Sequence, residues 1–415
     1  MFDLNFLKFA QRNCQFITFG FLAAFTSSFG QTYFIGVFGP EIQVEFGLTH
    51  TNWGAIYLMG TLASAAILPF SGKLLDHVPL RRYTFWTCVL LIVACGSSTF
   101  ISGKITLIVF IFLLRHAGQG LMSHIAMTSM SRSFFAGRGR AIAIAALGYS
   151  FGEALLPLLA VIAIGMLGWR MAYGGVALYL ALIAIPIFMM MLTRIEKRLP
   201  DAQDQSMLSA ERPKPLPQRS WTRAEALRDP RMYLLLPGLL AIPIISTAMF
   251  FHHLTLADVK GWSDTWITGS YSLYALSTVI TGLLTGQLID RFGAVRLVPF
   301  MLIPLMLAMI VVSVFENPFT VWVYMILMGI NVGIAHTAVS AMWAELYGVH
   351  HLGAIRSFAT AISVFGTALG PVTMGILVDL GLGMEQVILL FAGYALMGTC
   401  LLFVAIRPSR LSQSK

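Results

Sequence analysis

Two ionisable side chains lie deep inside long apolar stretches of the sequence. Arg115 is about ten residues from one end of the apolar segment 105–130, and Glu153 is about twelve residues from an end of the segment 139–164. If both segments cross a bilayer as helices, each side chain is about 15–18 Å from a surface, near the middle of a hydrocarbon core about 30 Å thick. An arginine at that depth faces a partner or a wet cavity, because an isolated charge is costly there.

The two segments are joined by a short turn, so we expect them to pack side by side and bring Arg115 and Glu153 together. A carboxylate that is paired with an arginine stays ionised, and it takes up a proton when the pair opens. The pair therefore predicts either a proton-coupling device or a static, architectural ion pair. A Glu153→Gln variant separates the two hypotheses, because only a coupling residue is needed for accumulation driven by a proton gradient.

The composition places the chain among multi-span membrane proteins. Hydrophobic residues make up 57% of it, charged residues only 11%, and the mean hydropathy is +0.80, whereas soluble domains are about 25% charged. Twelve apolar segments are long enough to cross a bilayer as helices. We predict them at 14–38, 51–75, 83–103, 105–130, 139–164, 169–193, 232–256, 264–289, 295–315, 318–345, 356–380 and 385–406.

The charged residues predict the topology. Nearly all basic residues fall on one side if the N-terminus is cytoplasmic, and the outer side keeps only Lys104, Arg170 and Lys260. The net charge of +9 is therefore a topology signal rather than a sign of nucleic-acid binding. Both termini are expected to be cytoplasmic. The polar stretch 194–231 is predicted to be a cytoplasmic linker between the halves 1–193 and 232–415, and it ends in either a short amphipathic helix on the membrane face or one solvated turn.

A short charged loop occurs once in each half of the chain. Residues 72–82 (GKLLDHVPLRR) recur as residues 286–296 (GQLIDRFGAVR), 214 positions later. This loop resembles the G-x-L-x-D-R-x-G-x-x-R motif of the major facilitator superfamily of secondary transporters. The second copy matches fully, and the first departs from the motif at His77 and Pro79. The resemblance implies an all-α membrane protein with twelve helices in two pseudo-symmetric six-helix bundles.

The resemblance also suggests roles for particular residues. The run Arg115–Gly120 resembles the family's fourth-helix motif, in which the arginine is linked to proton coupling or substrate binding. Helices one, four, seven and ten surround the transport path in that family, which makes His336 of helix ten a second candidate for proton transfer. The other residues expected to line the path are Gln31, Tyr33, Gln119, His252, Tyr271, Tyr274 and Asn331.

By the same resemblance, the repeated loops form a conformational gate. Asp76 would stabilise the start of helix eleven, where Arg356 adds an ion pair, and Asp290 would do the same at helix five. These latches are expected to favour an outward-open form, with a purely topological role for the aspartates as the alternative. The gate residues are Gly72, Asp76, Arg82, Gly286, Asp290, Arg291, Gly293 and Arg356.

Within the superfamily, some stretches look closest to the bacterial monocarboxylate and oxalate/formate-type branch. They are residues 29–34 (FGQTYF), Gly152-Glu153 with Pro157, residues 250–253 (FFHH) and residues 261–262 (GW). This resemblance implies a monomeric transporter of the bacterial inner membrane that carries small organic anions, often with a proton. The single buried arginine and the single buried glutamate indicate a monoanion that is carried with a proton. The alternative is a proton-coupled exporter of drugs or organic cations, and a membrane sensor that keeps the fold is a third possibility.

The sequence argues against an enzyme. Residues 148–152 (GYSFG) match the G-x-S-x-G pattern of hydrolases, but they lie inside an apolar segment where the required strand-to-helix turn cannot form. Gly148 and Gly152 instead predict a close helix-packing face, and Gly366 and Gly370 predict the matching face in the second half. The cysteine spacing indicates no metal site, and no cofactor is expected.

Overall fold

The computed structural model describes residues 13–134, 138–195, 221–348 and 351–406, and these residues contain helices but no strand. Eleven helices in this part of the chain are long and apolar enough to cross a membrane, and a twelfth is shorter. The all-α prediction is confirmed. The helices are α1 (Cys14–Gly30), α2 (His50–Asp76), α3 (Leu80–Phe100), α4 (Lys104–Ser133), α5 (Arg138–Leu167), α6 (Trp169–Ile195), α7 (Pro230–Phe251), α8 (Asp264–Phe292), α9 (Ala294–Val314), α10 (Thr320–Tyr347), α11 (Leu352–Asp379) and α12 (Met384–Ala405).

The first apolar segment is not the continuous helix that its sequence predicts. A 3₁₀ turn at Ser28–Gly30 ends α1, and Gln31 then adopts an extended conformation with φ −84° and ψ 155°. A short helix, Thr32–Val37, resumes the path and is followed by another, Gly39–Phe46. Such a break leaves backbone carbonyls without helical partners, so other groups must satisfy them if the break is buried.

Helix α4 also departs from regular geometry in its middle. Residues Arg115–Met122 form a π-helical stretch between two α-helical parts. A π-helical turn holds more residues than an α-helical turn, and it therefore rotates the side chains that follow relative to those that precede. Arg115 is the first residue of this stretch.

The chain divides into two compact units. The first comprises Met1–Phe46 and Met59–Lys214, and the second comprises Gly47–Leu58 and Pro215–Lys415. The second unit thus includes the first turns of α2. The backbone amides of His50 and Thr51 there donate to the Asp379 carboxylate at the end of α11, over 3.3 and 2.7 Å.

The predicted glycine faces are confirmed within each unit. A Cβ added to Gly148 of α5 would lie 2.1 Å from the carbonyl oxygen of Phe21 in α1, and one added to Gly152 would lie 2.1 Å from the Ser28 hydroxyl. In the second unit, a Cβ on Gly370 of α11 would lie 2.2 Å from the Ile244 carbonyl oxygen of α7. Only glycine allows the backbones to approach this closely.

The C-terminal end of the predicted linker is helical. Thr222 caps the short helix Arg223–Arg228, and Glu225 completes a capping box by accepting the Thr222 amide over 2.7 Å. The Trp221 amide donates to the Tyr347 carbonyl at the end of α10 over 2.8 Å. The earlier part of the predicted linker, residues 196–220, lies outside the described residues. The helix is therefore anchored to α10 by its N-terminal flank.

Candidate functional site

The break after α1 and the π-helical stretch of α4 meet backbone to backbone. A Cβ on Gly118 would lie 2.6 Å from the amide nitrogen of Gly30, and a Cβ on Gly30 would lie 2.3 Å from the Leu114 carbonyl oxygen. No side chain larger than hydrogen fits at either position without moving one backbone. The two irregular segments therefore fix each other's positions in the first unit.

Arg115 fills the polar gap that the break creates. Its side chain is fully buried, and Nη1 donates to the carbonyl oxygen of Gly30 over 3.2 Å and to the hydroxyl of Thr32 over 3.5 Å. Hydrogen bonds from a charged donor are stronger than those between neutral groups, so this contact stabilises the extended backbone at Gln31. Arg115 thus brings a positive charge into the middle of the first unit.

Glu153 approaches the same break from α5. It interacts electrostatically with the Tyr33 side chain, which lies one residue beyond Thr32 and also interacts with Tyr149. The Tyr33 hydroxyl donates to the Ser28 hydroxyl over 2.8 Å. As a residue Glu153 is partly exposed, whereas Arg115 is fully buried.

The predicted ion pair between Arg115 and Glu153 is not formed. In the part of the chain that the structure describes, the ion pairs join Asp76 to Arg132, Glu45 to Arg170, Asp229 to Arg231 and Glu385 to Lys260. Helices α4 and α5 are neighbours, but the Arg115 guanidinium donates to Gly30 and Thr32 rather than to Glu153 of α5.

Other predicted residues of the first unit lie near this region. Gln31 is the extended residue of the break, and Gln119 follows Gly118 in the π-helical stretch; both side chains are partly exposed. Sequence reasoning missed Thr32, Ser28 and Tyr149. The sequence does contain an indication of the break, because Gln31 and Thr32 are adjacent polar residues in the middle of an apolar segment. Backbone groups that are unpaired at such a depth need polar neighbours.

In the second unit, a buried cluster of rings surrounds His253 near the end of α7. The His253 Nδ1 atom and the Tyr271 hydroxyl are 2.7 Å apart, and the His253 and Tyr324 rings meet edge to face at 5.7 Å. Phe250 packs edge to face on both Tyr271 and Tyr274. The predicted Tyr271 and Tyr274 therefore belong to one aromatic cluster, whose histidine the sequence analysis did not select.

The remaining candidates of the second unit differ in exposure. Asn331 is fully buried, and its side-chain amide donates to the Met301 carbonyl over 2.7 Å, so it joins α10 to α9. His252 is buried, and its Nε2 atom lies 3.0 Å from the Pro371 carbonyl oxygen of α11. His336 is exposed.

The first repeated loop closes on its own unit. Asp76 forms an ion pair with Arg132 at the end of α4, and Arg132 also donates to the Leu75 carbonyl over 3.3 Å. Arg356, the predicted partner of Asp76, is exposed in the second unit. The Gly72 side of the loop packs near His124.

The second loop has a different internal contact. Gly293 adopts a left-handed φ of +82°, and the following amides of Ala294 and Val295 donate to the Glu345 carboxylate over 2.7 and 3.0 Å. Glu345 thus caps α9 from the end of α10. The remaining gate candidates of the two loops are Arg82, Asp290 and Arg291, which are exposed, and Gly286, which is partly buried.

Solved structures share this fold. A bacterial homologue of the human lysosomal transporter Spinster, in an inward-facing and occupied conformation, matches with a TM-score of 0.69 and 15% identity over 95% of this chain and 96% of that chain. The nucleoside transporter NupG matches with a TM-score of 0.70 and 13% identity over 94% of this chain and 99% of that chain. These likenesses show the fold and do not transfer a substrate.

Sequence comparison reaches the same family. A search of curated protein sequences found no significant match. The sequence model of the Major Facilitator Superfamily matches residues 20–324 and, in a second alignment, residues 266–415. The two alignments together span nearly all twelve helices. The chain therefore belongs to the major facilitator superfamily and is a membrane transporter rather than an enzyme.

Proposed function

We propose that this transporter carries a small organic monoanion together with a proton by alternating access. The observation that carries the proposal is the arrangement of Arg115 and Glu153 at the break after α1. Arg115 supplies a fixed positive charge, and Glu153 supplies a carboxylate with no ion-pair partner among the described residues. An anion that carries one negative charge is attracted to the first group, and a proton neutralises the second.

The two sites favour joint occupancy. A substrate carboxylate near Arg115 brings negative charge close to Glu153, and a nearby negative charge makes a carboxylate easier to protonate. Protonated Glu153 in turn removes the repulsion that a bound anion would experience. Linkage of this kind is reciprocal, so proton and anion each strengthen the binding of the other. The transporter is proposed to act as a monomer in a bacterial inner membrane with both termini in the cytoplasm.

Proton-coupled export of organic cations is the second candidate, and one observation favours it. Glu153 is partly exposed and unpaired with any described cationic residue, so it could bind a substrate cation directly. Arg115 would then be architectural, since it already bonds Gly30 and Thr32. Under this hypothesis the proton and the substrate compete for Glu153, and transport is antiport.

Binding measurements on purified protein in detergent separate the two functions. Arg115→Gln should abolish binding of the monocarboxylates lactate, pyruvate and formate if the anion hypothesis holds, whereas Glu153→Gln should retain it. Tetraphenylphosphonium is the matching cationic probe. Loss of its binding in Glu153→Gln, with no carboxylate binding in the wild type, would replace the first proposal with the second. Glu41→Gln is the matched control, because Glu41 is exposed in the short helix Gly39–Phe46.

A further inference from the structure

A cavity of about 250 Å³ lies where five helices of the first unit reach the same end of that unit. Residues from the start of α1, the end of α2, the start of α3 and the ends of α4 and α6 line it. Phe16, Leu75, Leu80 and Leu192 belong to its apolar wall. This end of the unit is the one that we predict to face the cytoplasm, so the cavity lies near the inner surface of the membrane.

The remaining wall of the cavity is polar and comes from the last two turns of α4. Serine and threonine hydroxyls line it together with the Arg132 guanidinium, whose side chain is about half exposed. Nη1 of Arg132 donates to the Leu75 carbonyl over 3.3 Å, and Nη2 pairs with the Asp76 carboxylate. Because a guanidinium has five N–H groups and binds phosphate well, Arg132 can still accept a further anion.

Further positive charge adjoins the cavity. Arg81 and Arg82 directly follow the lining residue Leu80, and Arg194 directly precedes the lining residue Ile195. All three arginines are exposed. With the arginine that lines the cavity, they make up a set that we call the arginine cluster: Arg81, Arg82, Arg132 and Arg194.

The chemistry of the two walls selects the ligand. An apolar wall gives water few hydrogen-bond partners and favours a hydrocarbon chain. The arginine cluster outnumbers Asp76, which is the only acidic side chain in the described stretches 73–84, 128–134 and 190–195, so this end of the unit attracts anions. The ligand is therefore an amphiphile with one negatively charged end. Anionic phospholipids of the cytoplasmic leaflet have this chemistry and are present at the level of the cavity.

We propose that this cavity binds one acyl chain of an anionic phospholipid from the cytoplasmic leaflet, with the lipid phosphate on Arg132. The volume suits part of one chain rather than a whole lipid, because sites that enclose complete drug-sized ligands span about 300–1,000 Å³. The phosphate and Asp76 compete, since both anions bind the Arg132 guanidinium and repel each other. Lipid binding therefore weakens the ion pair that joins the first repeated loop to α4. This inference does not depend on which solute is transported.

Native mass spectrometry of the full chain in detergent tests this inference. The purified protein is titrated with phosphatidylglycerol or with zwitterionic phosphatidylcholine of the same acyl chains. We expect one saturable phosphatidylglycerol site, with at least about fivefold higher affinity than phosphatidylcholine, and Arg132→Gln should weaken it by at least about fivefold. Asp76→Asn should instead tighten phosphatidylglycerol binding, because it removes the competing anion. The opposite signs distinguish a lipid site from a merely structural ion pair, whose loss would have the same effect from either side.

Two more variants separate the cavity from a general attraction of lipid to a basic surface. Ser133→Phe keeps every arginine but fills part of the cavity with a ring, so phosphatidylglycerol affinity should fall by at least about fivefold. Arg296→Gln is the matched control, because it removes an exposed arginine from the second repeated loop. Its affinity should stay within about twofold of the wild type.

Thermal unfolding in lipid-free detergent verifies that each variant is folded. Asp76→Asn keeps the test decisive even where another variant is destabilised, because misfolding does not raise the affinity for a lipid. Equal affinities for the two lipids, wild-type affinity in a folded Ser133→Phe variant, or weaker binding in Asp76→Asn would each overturn the inference. None of these outcomes bears on the transported solute, so the proposed function is tested separately.

Discussion

Replacement of Gly118 by alanine tests the crossing of α1 and α4 on which the site depends. The added Cβ would lie 2.6 Å from the Gly30 amide nitrogen and 2.7 Å from its Cα atom, whereas ordinary contacts begin at 3.4 Å. Because both atoms belong to the backbone, no side-chain rotation relieves the overlap. From the 2.6 Å available, the break must move away by at least 0.4 Å to reach the shortest tolerated contact of 3.0 Å, and by 0.8 Å to reach an ordinary contact of 3.4 Å.

The displacement has a calculable effect on Arg115. A shift of that size lengthens its 3.2 Å bond to the Gly30 carbonyl beyond the range of a hydrogen bond. Loss of a hydrogen bond to a charged group costs about 1.5–3 kcal/mol, and overpacking adds about 1–3 kcal/mol. If the free energy of the lost hydrogen bond weakens substrate binding, we expect carboxylate uptake to drop by roughly 10- to 100-fold, since each 1.4 kcal/mol is a factor of ten.

Uptake and thermal stability should be measured on the same variants. A thiol-reactive fluorophore reports unfolding in detergent, because Cys88 and Cys95 are buried in α3. Gly120→Ala should have a smaller effect, since its Cβ meets only the tip of Leu68 at 3.1 Å, and Gly174→Ala should have none because nothing lies within 4 Å. Wild-type uptake and stability in Gly118→Ala would refute the proposed backbone contact.

Three further predictions concern contacts outside the site. Glu45→Gln should lower stability at pH 7 by less than about 1 kcal/mol. Because the hydrogen bond from Arg170 lowers the pKa of Glu45, the greater stability of the wild type should persist at neutral pH and disappear as the pH falls through that lowered pKa. A stability difference that stays constant down to acidic pH would contradict this prediction. Glu345→Ala should cost about 1–2 kcal/mol by uncapping α9, whereas Glu345→Gln, which keeps an acceptor, should cost less; equal melting temperatures of the two variants would be inconsistent with a cap. Asp379→Asn should weaken the cap on the Thr51 amide by about 0.3–1 kcal/mol, and its melting temperature should fall between those of the wild type and Asp379→Ala.

The sequence predicted the fold because membrane helices must satisfy their backbone internally and therefore appear as long apolar segments. The repeated loops added the division into related halves. The glycine faces at Gly148, Gly152 and Gly370 were also predictable, since small residues repeated at helical spacing mark close helix contacts. These features depend on local composition and spacing, which a single sequence displays directly.

The details of the site were harder to predict because they depend on tertiary contacts. The sequence indicated the depth of Arg115 but not the direction of its side chain, which donates to Gly30 and Thr32 at the break. The break at Gln31 lies where Gly30 and Gly118 allow the backbones of α1 and α4 to touch. Local helix propensity does not predict such a contact between distant parts of the sequence. Asn331 illustrates the same limit, since the sequence does not specify which neighbour a polar side chain on a predicted path helix contacts, and here the amide donates to Met301.

The most direct test of proton-coupled anion transport measures the internal pH of proteoliposomes. Lactate, pyruvate or formate is added outside the vesicles in one set of experiments, and tetraphenylphosphonium is added in a parallel set. We expect a carboxylate to drive internal acidification in vesicles that contain the wild type. We expect no acidification with Glu153→Gln, although this variant should still exchange labelled for unlabelled carboxylate. Internal alkalinisation driven by the cation, with no response to any carboxylate, would contradict the account and identify Glu153 as a shared site for cation and proton.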